Sequence, residues 1–272
     1  MATSYTVLET EVRDHVGYLW LNRPERMNAL GIAFWEELPR AVEALEKDEA
    51  VRVIALAGRG KAFTAGLDLR EMAPLLMEPS EASVAYRRSL REIILRMQEA
   101  VNRLAYATKP VIAAVHGYCL GAGVDLITAC DIRLASRDAV FSVRETRIAI
   151  VADLGTLQRL PRLVPEGVAR EWVFTGRDVS AEEAHAVHLV QTLTDDADAL
   201  MEETQRMAQR VAANSPLAVQ GSKHIMEKSR VLPEKEALEY VALWNTAFLH
   251  SEDLKEAIQA FLEKRTPTFT GR

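Results

Sequence analysis

Two glycine-containing loops and three acids are the parts of this 272-residue chain whose types and spacing suit chemistry. The first loop is Gly60-Lys61-Ala62-Phe63-Thr64-Ala65-Gly66-Leu67-Asp68-Leu69. The second is His116-Gly117-Tyr118-Cys119-Leu120-Gly121-Ala122-Gly123-Val124-Asp125. Small residues let a backbone approach a ligand closely and take dihedrals closed to other residues. The second loop runs into an apolar helix through Leu126, Ile127 and Ala129. The free N–H groups of its first turn would point at an anion. Two N–H groups converging from two such loops would make an oxyanion hole. Glycines alone are equally consistent with two tight turns that serve only packing.

The acids are Asp125, Glu145 and Asp153. Asp153 follows Glu145 by eight residues, across a nearly apolar stretch. A carboxylate in apolar surroundings is costly to ionise, so its pKa rises. Plainer readings exist for each. Asp125 near a helix start suits the helix dipole. Glu145 could pair with Arg144 or Arg147, and Asp153 could cap a helix that starts at Leu154.

The elements that must position these residues alternate in the first half. His15 to Leu21 alternates like a strand, while Val51 to Ala57 and Val111 to Val115 are near-continuous apolar runs. Such runs suit strands buried on both faces of an α/β fold. Phe34 to Lys47, despite Pro39, and the stretch through Leu90, Ile93, Ile94, Met97, Val101 and Leu104 have helical spacing. Further strands are expected at Asp131 to Ala135 and Val187 to Leu193. From about Asp195 the chain reads as helix: Ala197 to Ala213, Pro216 to Lys228, Glu234 to Leu249 and Glu252 to Glu263.

Other motifs fail. Gly58-Arg59-Gly60-Lys61 lacks the Walker glycine, because position 55 is Ala55, and Ala62 stands where Ser or Thr is required. Gly121-Ala122-Gly123 lacks the third dinucleotide-loop glycine, since position 126 is Leu126. No G-x-S-x-G elbow is present. His185 and His188 lie one turn apart without a third metal ligand nearby.

In order along the chain, Leu21-Asn22-Arg23-Pro24-Glu25-Arg26-Met27-Asn28-Ala29-Leu30, both loops, Ala129-Cys130-Asp131-Ile132-Arg133 and Phe261-Leu262-Glu263-Lys264-Arg265 closely resemble the crotonase (enoyl-CoA hydratase/isomerase) superfamily. The resemblance covers nearly the whole length. It implies an α/β fold: a crotonase-type spiral of β-β-α turns over residues 1–195, with a CoA thioester site. A C-terminal helical trimerisation region would follow over 196–272. It also implies an acyl-CoA substrate and a homotrimer or dimer of trimers. The oxyanion N–H groups would come from Leu67 and Ala122. The CoA pocket would involve Met27, Ala29 and the loop Ala65, Gly66, Leu67, Asp68 and Leu69, with Gly121 and Gly123 against the substrate. Asp68 itself reads as structural. Arg23, Arg26 and Lys61 are candidate phosphate partners or simply surface charge, and Leu75, Leu76 and Met77 candidate pocket walls.

Hydratases of this superfamily carry Glu at the positions of Asp125 and Glu145. The trio Asp125, Glu145 and Asp153, with Ala152-Asp153-Leu154-Gly155-Thr156-Leu157-Gln158-Arg159-Leu160-Pro161, instead resembles the Δ3,5-Δ2,4-dienoyl-CoA isomerase subfamily. The implied reaction moves the double bonds of a 3,5-dienoyl-CoA to 2,4 by a 1,5-proton shift, in fatty acid β-oxidation. Asp153 would take the C2 proton and Glu145 would protonate C6. Asp125 would hydrogen-bond within the cluster and help keep Glu145 protonated. No metal and no cofactor is expected beyond the CoA of the substrate. Enoyl-CoA hydratase is the alternative. A non-catalytic crotonase-fold protein binding a partner or RNA is a third reading, opposed by the three acids and the charge.

Composition agrees with an enzyme of this kind. The chain is 49% hydrophobic and 26% charged, near the average for globular chains. It is long enough to bury a core without disulfide or metal staples. Basic residues number 33 and acidic residues 39, for a net charge of −6, which argues against a general nucleic-acid binder. No apolar run suits a membrane span. Cys119 and Cys130 read as buried inert thiols. The acidic N-terminal segment does not suit a leader, and the Phe269-Thr270-Gly271-Arg272 end matches no peroxisomal or retention tail. The expected location is cytoplasmic.

Overall fold

The computed structural model describes residues 5–77 and 83–272. Nine strands form two sheets among these residues: β1 (Leu8–Arg13), β2 (Val16–Leu21), β3 (Val53–Gly58), β4 (Val111–Val115), β5 (Tyr118–Leu120), β6 (Ile132–Ser136), β7 (Val140–Ser142), β8 (Val179–Ser180) and β9 (Thr192–Thr194). The larger sheet has the order β1-β2-β3-β4-β6-β9, and the smaller has β5-β7-β8. Only the β1–β2 pair of the larger sheet is antiparallel.

The helices are α1 (Ile32–Lys47), α2 (Leu69–Leu76), α3 (Val84–Ala105), α4 (Ala122–Ala129), α5 (Thr156–Arg159), α6 (Glu166–Thr175), α7 (Ala181–Ala186), α8 (Ala197–Ala212), α9 (Pro216–Ser229), α10 (Glu234–Phe248) and α11 (Glu252–Glu263). The two unbroken apolar runs are β3 and β4, every residue of which is buried. Successive strand residues face opposite ways, so these runs feed two cores. Ile54, Leu56, Val111 and Ala113 pack with α1, α3 and α4. Val53, Ala55, Ile112 and Ala114 pack with Leu200, Ala208 and Ala212 of α8.

In the middle of the chain, turns pass from a large-sheet strand to a short strand of the second sheet and then to a helix. The run β4-β5-α4 is one such turn. In the turn after β3, the short strand is reduced to a bridge between Thr64 and Cys119. This is the expected α/β spiral with a helical C-terminal region. Ser215 and Ser251 cap α9 and α11, accepting from the Ala218 and Leu254 N–H groups.

One expected strand is mostly absent. Of Val187 to Leu193, only Thr192 and Leu193 are extended, in β9. His188 sits at φ 65, and the Arg133 Nε donates to the Leu189 carbonyl at 2.7 Å. Leu189 and Val190 are buried by tertiary packing, which gives an apolar run without ladder pairing. Among the described residues, no helix is long and apolar enough to cross a membrane.

Candidate active site

The two glycine loops run side by side. The Thr64 N–H donates to the Tyr118 carbonyl at 2.8 Å, and the Leu120 N–H returns to the Thr64 carbonyl at 3.1 Å. Gly66, at φ +86, lies where a Cβ would meet the Leu120 carbonyl oxygen at 2.6 Å. Gly121, at φ +52, turns the second loop into α4. Both conformations favour glycine. Around Leu67, the Leu30 N–H donates to the Gly66 carbonyl and the Asp68 N–H to the Leu30 carbonyl. Among the described residues, neither the Leu67 nor the Ala122 N–H reaches a backbone acceptor. Ala122 is the first residue of α4, where an N–H has no partner within the helix.

A cavity of about 270 Å³ is lined by both loops and all three acids. The loops contribute Ala65, Gly66, Leu67, Leu69, Gly121 and Ala122. Met97, Leu120, Ile148, Ile150 and Leu154 supply apolar wall beside the carboxylates.

Asp125 is only 1% exposed. Its Oδ1 accepts the Thr156 N–H at 2.6 Å. The start of α5 has no side-chain cap of its own from Gly155, so Asp125 of α4 caps it from another element. Asp153 therefore does not cap this helix, contrary to the plainer sequence reading. Among the described residues Asp125 makes no hydrogen bond to its fellow acids, although the sequence reading expected one; its bond is to the Thr156 backbone N–H. Burial pushes its pKa up to about 6, against the opposing effects of Thr156 and Arg159.

Glu145 opens a single 3-10 turn, Glu145–Ile148. Its Oε2 is buried without a hydrogen-bond partner among the described residues. Arg144 pairs with Asp178 at 2.6 Å, and Arg147 reaches toward the Gly176 carbonyl. Neither neutralises Glu145. Burial, and then the charge of Asp125, push its pKa up to about 7. Asp153 is also raised by burial. Its carbonyl accepts the Gln98 Nε2 at 2.6 Å, which ties its segment to α3.

Four expected binding residues do not line this cavity. Asp68 is buried and caps α2, accepting from the Arg70 and Glu71 N–H groups. It also stands 3.4 Å from Arg23, matching its structural reading. Met27 is half-exposed, and its carbonyl accepts the Ala65 N–H. The Ala29 carbonyl accepts from Arg23. Gly123 packs against Thr64 and Cys119. Arg23 is occupied by Asp68 and Glu71, whereas Arg26 and Lys61 are exposed. Leu75, Leu76 and Met77 do not line the cavity; Met97 of the following helix does.

Sequence reading missed Asn28. It is buried at φ 52. Its Oδ1 accepts the Arg23 N–H, and its Nδ2 donates to the Arg59 and Ala62 carbonyls. The Thr64 hydroxyl donates to the Asn28 carbonyl. Asn28 thus holds the first loop in place. A polar residue inside an otherwise unremarkable Met-Asn-Ala-Leu run was its only signal. A larger cavity, about 870 Å³, lies between the core and α9–α11 and contains none of the three acids.

Residues 11–272 match the family model described as enoyl-CoA hydratase/isomerase. A Dictyostelium discoideum protein named Delta(3,5)-Delta(2,4)-dienoyl-CoA isomerase, mitochondrial, is 42% identical over 98% of this chain and 92% of its own length. An Arabidopsis thaliana protein named Delta(3,5)-Delta(2,4)-dienoyl-CoA isomerase, peroxisomal, is 43% identical over 98% of each chain. The crystal structure of an enoyl-CoA hydratase from Bacillus anthracis superposes with a TM-score of 0.89 at 32% identity, over 98% of this chain and 100% of that one. The expected cytoplasmic location is overturned by the organelle names of these relatives. Ends of a chain are a weak guide to its address. The chain belongs to the enoyl-CoA hydratase/isomerase family.

Proposed function

We propose that this chain is a dienoyl-CoA isomerase that converts a 3,5-dienoyl-CoA to the 2,4-dienoyl-CoA. The observation that carries the reading is the meeting of Asp125, Glu145 and Asp153 in one cavity beside the two loop N–H groups. The names of the relatives from Dictyostelium and Arabidopsis support it.

The thioester oxygen sits between the Leu67 and Ala122 N–H groups, which stabilise charge as it develops there. The Asp153 carboxylate takes the C2 proton. The electron pair spreads through the C3 and C5 double bonds onto C6 and the thioester oxygen. Glu145 gives its proton to C6, leaving double bonds at C2 and C4. One proton leaves and one arrives, so the product is an isomer. Afterwards Asp153 is protonated and Glu145 ionised, and proton exchange resets them.

The electrostatics favour this division of roles. Burial and the charge of Asp125 raise Glu145 to about 7, so it is largely protonated below neutrality and a sizeable fraction still carries the proton at pH 7. Asp153 is the least enclosed of the three acids, which suits a base. The charge of Asp125 supports protonation of Glu145. CoA is carried by the substrate, and the reaction uses no other cofactor. Assembly as a homotrimer or dimer of trimers is part of the proposal; exposed Leu238, Leu243, Phe261 and Leu262 supply apolar contact surface. Sedimentation reads that mass directly.

The functional test uses 3,5-octadienoyl-CoA and the growing absorbance of the conjugated product. Absent turnover, with brisk hydration of a 2-enoyl-CoA, would favour the hydratase. That second reading rests on Glu145 and Asp125 as a pair of acids at one cavity. Asp153 has no place in it.

A further inference from the structure

Asp153 lies between the 3-10 turn Glu145–Ile148 and α5, in no helix or strand of its own. Among the described residues, the hydrogen bond that reaches it from another element goes to its carbonyl rather than its carboxylate, from the Gln98 Nε2 of α3 at 2.6 Å. The next carbonyl, of Leu154, accepts the Arg159 Nη1 at 3.2 Å. The Nη2 of the same guanidinium donates to the Asn102 Oδ1 at 2.5 Å. Asn102 follows Gln98 by four residues in α3, so the two share one helix face. Gly155, at φ +124, leaves room for the guanidinium, because a Cβ there would lie 1.8 Å from Nη1. Two adjacent carbonyls are thus fixed to one face of α3, one directly and one through Arg159.

We infer that Gln98 and Asn102, the latter through Arg159, are positioning residues that hold the Asp153 carboxylate in place to take the C2 proton. The inference rests on the isomerase reading. A general base works only within hydrogen-bond reach of the proton it removes. A side chain on an irregular segment has no ladder or helix to fix its Cα, so side chains of other elements must do it. Asp125 of α4 ties the far end of the segment by accepting the Thr156 N–H. The end that carries Asp153 depends on the α3 face. Gln98, Asn102 and Arg159 do not line the cavity, whereas Asp153 and Leu154 do. Their effect on substrate therefore passes through the segment they hold.

Gln98→Met keeps the length of the side chain and removes the donor to the Asp153 carbonyl. Asn102→Leu removes the acceptor that holds Arg159, and Asn102→Asp keeps one. A displacement of 1 Å at a reacting group costs on the order of 100-fold. Gln98→Met and Asn102→Leu should therefore lower kcat by roughly 10- to 100-fold with KM little changed, and Asn102→Asp should restore most of the rate. In an Asp153→Asn background the base is already gone, so Gln98→Met should cost little more. Wild-type kcat in Gln98→Met overturns the inference. So does an equal loss in both backgrounds, which would place the effect on the fold at large. Amide hydrogen exchange at Gly155 and Thr156 reads the hold without turnover, and it should quicken in Gln98→Met. Unchanged exchange there also overturns the inference. A wild type inactive on 3,5-octadienoyl-CoA, with exchange still quickened in Gln98→Met, would sink the isomerase reading and leave the hold on the segment standing.

Discussion

Gly66 and Leu120 approach so closely that a Cβ on Gly66 would lie 2.6 Å from the Leu120 carbonyl oxygen. The neighbouring peptide groups of Leu67 and Ala122 are brought to one cavity by that contact. Gly66→Ala must push the loops apart and also strain a backbone at φ +86. Loss of one oxyanion donor costs on the order of 100-fold or more in kcat. We expect a loss of at least that size, with KM changed far less. Wild-type kcat in this variant would separate the loop contact from catalysis.

Asp153→Asn removes the proposed base with almost no change of shape. General-base catalysis contributes roughly 100- to 10,000-fold, and isomerisation should fall within that range. The Gln98 bond is to the backbone carbonyl, so the fold should persist. Unchanged turnover would falsify the role of Asp153.

The pH profile of kcat/KM should be a bell. Glu145 must hold its proton, so the rate falls as pH rises through about 7. Asp153 must be ionised, and its pKa is raised by burial. The acid limb therefore lies above the ordinary aspartate range. A rate still climbing at pH 8 would remove Glu145 as the acid.

Asp125 links activity to stability. Its folded pKa is raised from 3.8 to about 6 by burial. The stability this gives is full below the ordinary value and is lost as pH rises through about 6. Asp125→Asn stays neutral and keeps an oxygen to accept the Thr156 N–H. Its melting temperature should exceed the wild type's at pH 8 by roughly 2–6 °C, with little gain at pH 4. Turnover should drop in the same variant. Equal differences at both pH values would show that ionisation of Asp125 carries no such cost.

Asn28→Ala strands the Arg23 N–H and the Arg59 and Ala62 carbonyls that Asn28 now satisfies. It also places alanine at φ 52. Urea unfolding should register a loss of about 3 kcal/mol or more. A change below about 1 kcal/mol would mean the first loop is held elsewhere.

The sequence by itself determined the elements with strong periodicity. Unbroken apolar runs at β3 and β4 can be stable only when covered on both faces, which dictates a layered α/β core. The α11 helix begins and ends where its Ser251 cap and spacing indicate. Short strands such as β8, two residues long, have no period to read, and Leu189 and Val190 were buried without belonging to a strand. The acids and loops were also legible as residue types, through their resemblance to a family. Tertiary structure decided their partners. Asp125 lies in α4 but caps α5, and Gln98 of α3 anchors Asp153. Such hydrogen bonds join residues 31 and 55 positions apart. No local spacing encodes them, because they exist only once the sheet has set one helix against another.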